Sequence, residues 1–121
     1  MNLFQKLKAT LRLREAVRKA EEAYSKDGER YYVMPGPARD GSLLVMDRYN
    51  FRKLKQKGYI SRDVFVRDLE MNSFYFTKYK DGKGSITPEV EAFKRSQYMK
   101  WYDNCLKRRK SKKSNEVHSK N

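Results

Sequence analysis

Arg52, Lys53, Lys55 and Lys57 fall within about a turn and a half of chain if that stretch is helical. Ammonium and guanidinium groups so spaced can neutralise successive phosphates of a nucleic acid, the contact that supplies most sequence-independent affinity. A second group, Lys107, Arg108, Arg109, Lys110, Lys112 and Lys113, follows Leu106. It would bind a polyanion by counterion release, so that affinity falls steeply with salt. The simpler use of both groups is a solvated cationic surface. Tyr75 and Tyr79, on one side of a predicted strand beside Lys78 and Lys80, could stack bases if that face were open, with Phe74 and Phe76 on the other side. Packing of both faces against helices is the simpler fate.

Covalent chemistry has little to work with. Cys105 would need a general base to become a nucleophile, and His118 sits in a charged terminal segment. Asp63, Asp68 and Glu70 are close enough in sequence to share a metal ion for phosphoryl transfer, yet Arg62 and Arg67 flank them and favour surface ion pairs. One cysteine and one histidine make neither an internal disulfide nor a zinc site. No Walker loop, G-x-S-x-G or H-E-x-x-H is present. The expectation is a protein without enzymatic activity, metal, cofactor or small-molecule substrate.

The 121 residues suit one domain with a single modest core. Lys and Arg number 29 against 15 Asp and Glu, a net charge of +14. Such a chain favours polyanions: nucleic acid, an anionic membrane surface or an acidic protein. Residues 107–121 hold seven cations and one carboxylate, so +8 stays on residues 1–106 and the body is basic in its own right. No stretch reaches transmembrane length, and Lys6, Lys8, Arg12 and Arg14 interrupt any signal-peptide core. A cytoplasmic location is expected, or a virion if the protein is phage-encoded.

Those candidate groups must be held by a scaffold. From Asn2 to about Lys26, Leu3, Leu7, Leu11, Val17, Ala20 and Tyr24 recur at helical spacing, widened by Phe4, Leu13 and Ala16. Packing of this stripe on a sheet is favoured over membrane contact. Tyr31–Met34 and Leu43–Met46 read as a hairpin around Pro35, Gly36, Pro37 and Gly41. A short basic helix at 50–57 follows, capped by Asp47 or Asn50, with Phe51 and Leu54 inward and Gly58 ending it. Val64–Leu69 and Ser73–Tyr79 are predicted as a second strand pair turning at Glu70–Asn72. Beyond the loop 80–85, Thr87 caps and Pro88 opens a helix to about Arg109, with Val90, Phe93, Trp101 and Cys105 inward. The predicted fold is α+β: two long terminal helices on a mostly antiparallel four-stranded sheet, with the short basic helix between the strand pairs. Residues 1–110 form the domain, and residues 111–121 a disordered basic tail.

From Phe51, FRKLKQKGYISRD, a strand pair and then ITPEVEAF at Ile86–Phe93 resemble the latter half of winged-helix transcription regulators: recognition helix, exit through Gly and an apolar residue, wing, and a T-P-E helix start. That family has a preceding helix where this sequence offers strands. As a whole the chain resembles small basic proteins of unknown function carried by bacteria, their phages or mobile elements, a likeness that implies no activity. The expected function is a non-enzymatic accessory protein that binds nucleic acid non-specifically through phosphates. The alternative is a structural or adaptor protein, such as a virion component, whose basic surface meets an acidic protein partner.

Overall fold

A computed structural model describes the backbone of residues 1–119 and the side chains of residues 1–109. The order is α1 (Leu3–Asp27), β1 (Tyr32–Pro35), β2 (Leu43–Met46), α2 (Arg48–Gln56), α3 (Asp68–Asn72), β3 (Tyr75–Phe76) and α4 (Pro88–Ser119). The strands form an antiparallel sheet in the order β2-β1-β3. β1 pairs with β2 in the register Tyr32 to Met46, and with β3 in the register Tyr32 to Phe76.

Local chemistry sets the helix ends. Asn2 accepts from the Gln5 amide at 2.7 Å while the Gln5 side chain accepts from the Asn2 amide, a reciprocal cap on α1. Thr87 Oγ1 accepts from the Val90 amide at 3.2 Å and Pro88 opens α4. In the β1–β2 connection Gly41 has a φ of +92°, and a Cβ there would lie 2.8 Å from the Tyr102 ring. That position demands glycine both for conformation and for space.

Strand alternation divides the interior in two. One face of the sheet, with Val33, Leu43, Val45 and Tyr75, packs on α1 and α4 through Ala9, Leu13, Ala16, Tyr98 and Tyr102. Here Phe74 meets Tyr98 edge-on with ring centroids 5.3 Å apart, and Trp101 at 5.2 Å. The other face, with Tyr32, Leu44, Met46 and Phe76, is covered by Phe51 and Leu54 of α2 and Leu69 of α3.

Four expectations are corrected. The sheet has three strands: Val64–Leu69 closes its hydrogen bonds locally, Asp68 Oδ2 accepting from the Phe65 amide at 2.9 Å, and Asp68–Asn72 is helix α3 where a strand turn was predicted. Phe74 and Phe76 enter different cores: the Phe74 amide donates to the Val33 carbonyl at 2.8 Å, but Phe74 precedes the paired residues Tyr75 and Phe76 and falls outside their alternation, so it shares the first core with Tyr75. Along α4 the inward stripe is Lys94, Tyr98, Tyr102 and Cys105, with Trp101 half-buried, while Val90 and Phe93 are exposed. A cation stood where an apolar residue was sought. On α1 the buried positions are Ala9, Leu13, Ala16 and Ala20, and the leucines Leu3, Leu7 and Leu11 face outward. Small residues let the helix close on the sheet and on Tyr98. α4 continues past Arg109 to Ser119; the expected disordered tail, in its side chains, lies outside the described residues.

Tyr98 is fully buried and its hydroxyl donates to the Ala9 carbonyl at 2.6 Å, fastening α4 to α1. Tyr98→Phe should cost about 1–2 kcal/mol in chemical denaturation at neutral pH. Burial raises the Tyr98 phenol above its ordinary value of 10.0. Above that pH the native state therefore binds more protons than the unfolded one, so this contribution is complete below about pH 10 and is lost progressively as pH rises from there toward the raised folded value. Denaturation midpoints between pH 8 and pH 11 should fall less in Tyr98→Phe than in the parent.

Candidate functional site

α2 is a short helix with well-defined ends. Asp47 Oδ1 accepts from the Asn50 amide at 2.8 Å. At the other end the Gly58 amide donates to the Lys55 carbonyl and the Tyr59 amide to the Leu54 carbonyl, with Gly58 at φ +82°. That pair of bonds around a left-handed residue is a Schellman ending. Phe51 is buried and Leu54 half-buried, which fixes the face turned to solvent.

At helical spacing that outer face carries Tyr49 and Gln56 along its middle, Arg48 and Arg52 on one flank, and Lys53 and Lys57 on the other. All are exposed, and the Lys53 ammonium lies 4.6 Å from the Tyr49 ring. Among the described residues no carboxylate comes within 4.0 Å of Arg48, Arg52, Lys53 or Lys57. Some cations elsewhere are paired, Arg18 with Glu15 and Glu22, Lys26 with Glu22 and Arg95 with Glu91, whereas α2 gathers four on one face that are unpaired among the described residues. The structure therefore groups Arg52, Lys53 and Lys57, and adds Arg48 and Tyr49, which sequence reasoning missed by starting the helix at Asn50. Asp47 as the cap was the signal for both.

Lys55 is set apart. Its ammonium donates to the Val64 carbonyl at 2.8 Å and lies 4.5 Å from the Phe65 ring. It fastens α2 to the following loop instead of facing a ligand.

The second cationic group is carried by α4 on the opposite side of the sheet. Lys107 is paired with Asp103 at 3.1 Å, and Arg108 and Arg109 are exposed. The side chains of Lys110, Lys112 and Lys113 lie outside the described residues. Because α2 packs on one face of the sheet and α4 on the other, the described members of the two groups are not brought into one site.

Comparison with protein-family models, curated proteins and solved structures finds no match to this chain. The remaining candidates must be judged on geometry.

The Tyr75 hydroxyl donates to Glu21 Oε1 at 2.5 Å, and half-burial together with that bond raises its phenol above the ordinary range. It braces α1 and offers no open stacking face. Tyr79 has its ring against the Arg30 guanidinium, whose carbon lies 4.2 Å from the ring centroid. Asp68 caps a turn, and Glu70 lies 3.6 Å from Arg30. Among the described residues no three His, Cys, Asp or Glu side chains are placed to share an ion. Cys105 is buried, which raises its thiol above the usual value, and a protonated thiol is a poor nucleophile.

The different roles of neighbouring lysines are measurable. Lys55→Ala should cost about 1.5–3 kcal/mol, the range for a charge-assisted hydrogen bond. Lys57→Ala should stay within about 0.5 kcal/mol of the parent, both read from urea denaturation midpoints.

Proposed function

We propose that this protein is a non-enzymatic accessory protein that binds nucleic acid through its phosphates, using the outer face of α2. One observation carries the proposal: Arg48, Arg52, Lys53 and Lys57 share that face with no carboxylate within 4.0 Å among the described residues. Flank residues four apart stand one turn above each other, a spacing that lets each follow a neighbouring phosphate. Contacts to phosphates carry no sequence information, so binding through them is independent of sequence. Tyr49, exposed between the flanks, adds a ring on which a base of a single strand can rest. The cations from Lys107 to Lys113 act as a separate contact. No described helix is long and apolar enough to cross a membrane, and we place the protein in the cytoplasm, where its polyanion would be met.

A second reading, an adaptor that binds an acidic protein partner, is favoured by a different feature: exposed leucines on α1 with cations beside them.

The nucleic-acid proposal is tested by fluorescence anisotropy with labelled single-stranded and duplex oligonucleotides across a salt series. The parent should bind both, with log K falling linearly against log salt. The triple variant Arg52→Ala, Lys53→Ala, Lys57→Ala should lower the magnitude of that slope by roughly 2–3, about 0.7–0.9 per phosphate contact. An unchanged slope, or no binding by the parent in low salt, refutes it.

A further inference from the structure

α1 is apolar on two sides. Its core side is Ala9, Leu13, Ala16 and Ala20. At 3.6 residues per turn Leu3, Phe4, Leu7 and Leu11 point roughly the other way, and they are 85, 74, 56 and 51 % exposed. A helix with two apolar faces is ordinarily covered on both, and a contiguous apolar patch with a polar rim marks an interaction surface. From Phe4 to Leu11 this stripe forms one wall of a groove of about 640 Å³ whose other wall is Leu43 and Val45 of β2. Among the described residues β2 has no strand on its outer side. Lys8, Arg12 and Lys19 border the groove, and its carboxylate, Glu15, is held by Arg18 at 2.6 Å.

We propose that this groove receives an acidic amphipathic helix of a partner protein, an inference that rests on the second reading above. A trough between a helix and a sheet edge is complementary to a ridge, and an amphipathic helix supplies one through apolar anchors at i, i+3, i+4 and i+7. Its carboxylates would meet Lys8 and Arg12, one turn apart, and Lys19 farther along. Charge decides between occupants. A second copy would set those same cations against like charges in a chain that already carries +14, which disfavours self-pairing. A lipid surface could take up the protruding leucines but cannot enter the trough to reach Leu43 and Val45.

The probe is a fluorescein-labelled helical peptide with Leu at those anchor positions and Glu elsewhere, titrated into the full chain beside a twin with Lys for every Glu. The acidic peptide should bind with a dissociation constant on the order of micromolar, and the basic twin should not bind. Leu7→Ser with Leu11→Ser should weaken binding at least about tenfold, with an unchanged thermal melt because both side chains are exposed. Lys8→Glu with Arg12→Glu should reverse the preference toward the basic twin. The α2 triple alanine variant should bind the acidic peptide as the parent does, which separates failure here from failure of the nucleic-acid proposal. Equal binding of both peptides, or parent-like binding by the serine variant, overturns the inference. So does absence of binding, a concentration-dependent dimer that the serine pair abolishes in sedimentation, or flotation with anionic vesicles by a chain that ignores the peptide.

Discussion

Side chains of β1 and the residue before it alternate between two interiors: Tyr31 and Val33 serve one, Tyr32 and Met34 the other. Its neighbours repeat the division, so a sheet of three short strands has no face that tolerates water. Exposed strands of this length cannot stand alone, and each side must be roofed. α1 and α4 cover one, α2 and α3 the other, and the helices have little freedom in which residues they turn inward. Once Phe51 and Leu69 roof the second face, the orientation of α2 is settled and Arg48, Arg52, Lys53 and Lys57 are left facing solvent. The presentation of positive charge follows from the burial of two apolar side chains.

Charged groups inside the fold bind its parts together. Lys94 is buried, and its ammonium donates to the Glu70, Met71 and Ser73 carbonyls at 2.6, 3.3 and 2.7 Å. These are the carbonyls left over at the end of α3, so a lysine of α4 does the work of a cap across the interior. Desolvation lowers its ammonium below the usual value, and the Glu70 charge opposes that shift. Arg30 is buried with its guanidinium carbon 4.4 Å from the Phe76 ring and 4.2 Å from the Tyr79 ring. Its Nε and Nη2 find no hydrogen-bond partner, so ring faces and the nearby Glu70 must offset the desolvation. The net charge therefore overstates what the surface offers: Arg30, Lys94 and in part Lys55 are spent on structure.

What could be read from the sequence was local. Helix ends at Asn2, Asp47, Thr87 and Gly58 follow from capping chemistry confined to four or five residues, and the β1–β2 hairpin from its turn residues and aliphatic strands. Misreadings arose where a distant partner decides. Val64–Leu69 has strand composition, yet Asp68 turns it back on itself and Leu69 anchors α3 in the second core. Leu3, Leu7 and Leu11 made the stronger stripe by hydrophobicity, but Ala9, Ala16 and Ala20 permit the closer approach. Of the candidate site, Arg52, Lys53 and Lys57 were legible as one face because Phe51 marks its opposite. The diversion of Lys55 to the Val64 carbonyl was not, since that loop's path is a tertiary matter.

The outer faces of α1 and α2 belong to layers on opposite sides of one sheet. Two interlayer spacings of about 10 Å each put the helix axes on the order of 20 Å apart and the outer faces farther still. At physiological salt the screening length is about 8 Å, so neutralising the cations of α2 with phosphate would barely alter the potential around Lys8, Arg12 and Lys19. A phosphate backbone on α2 and a helix in the α1 groove would also occupy separate surfaces. Neither would exclude the other, and any coupling between them would have to pass through packing. The paths available are β1 and β2, whose alternating side chains touch both cores, and the Lys94 ammonium of α4 on the carbonyls at the end of α3.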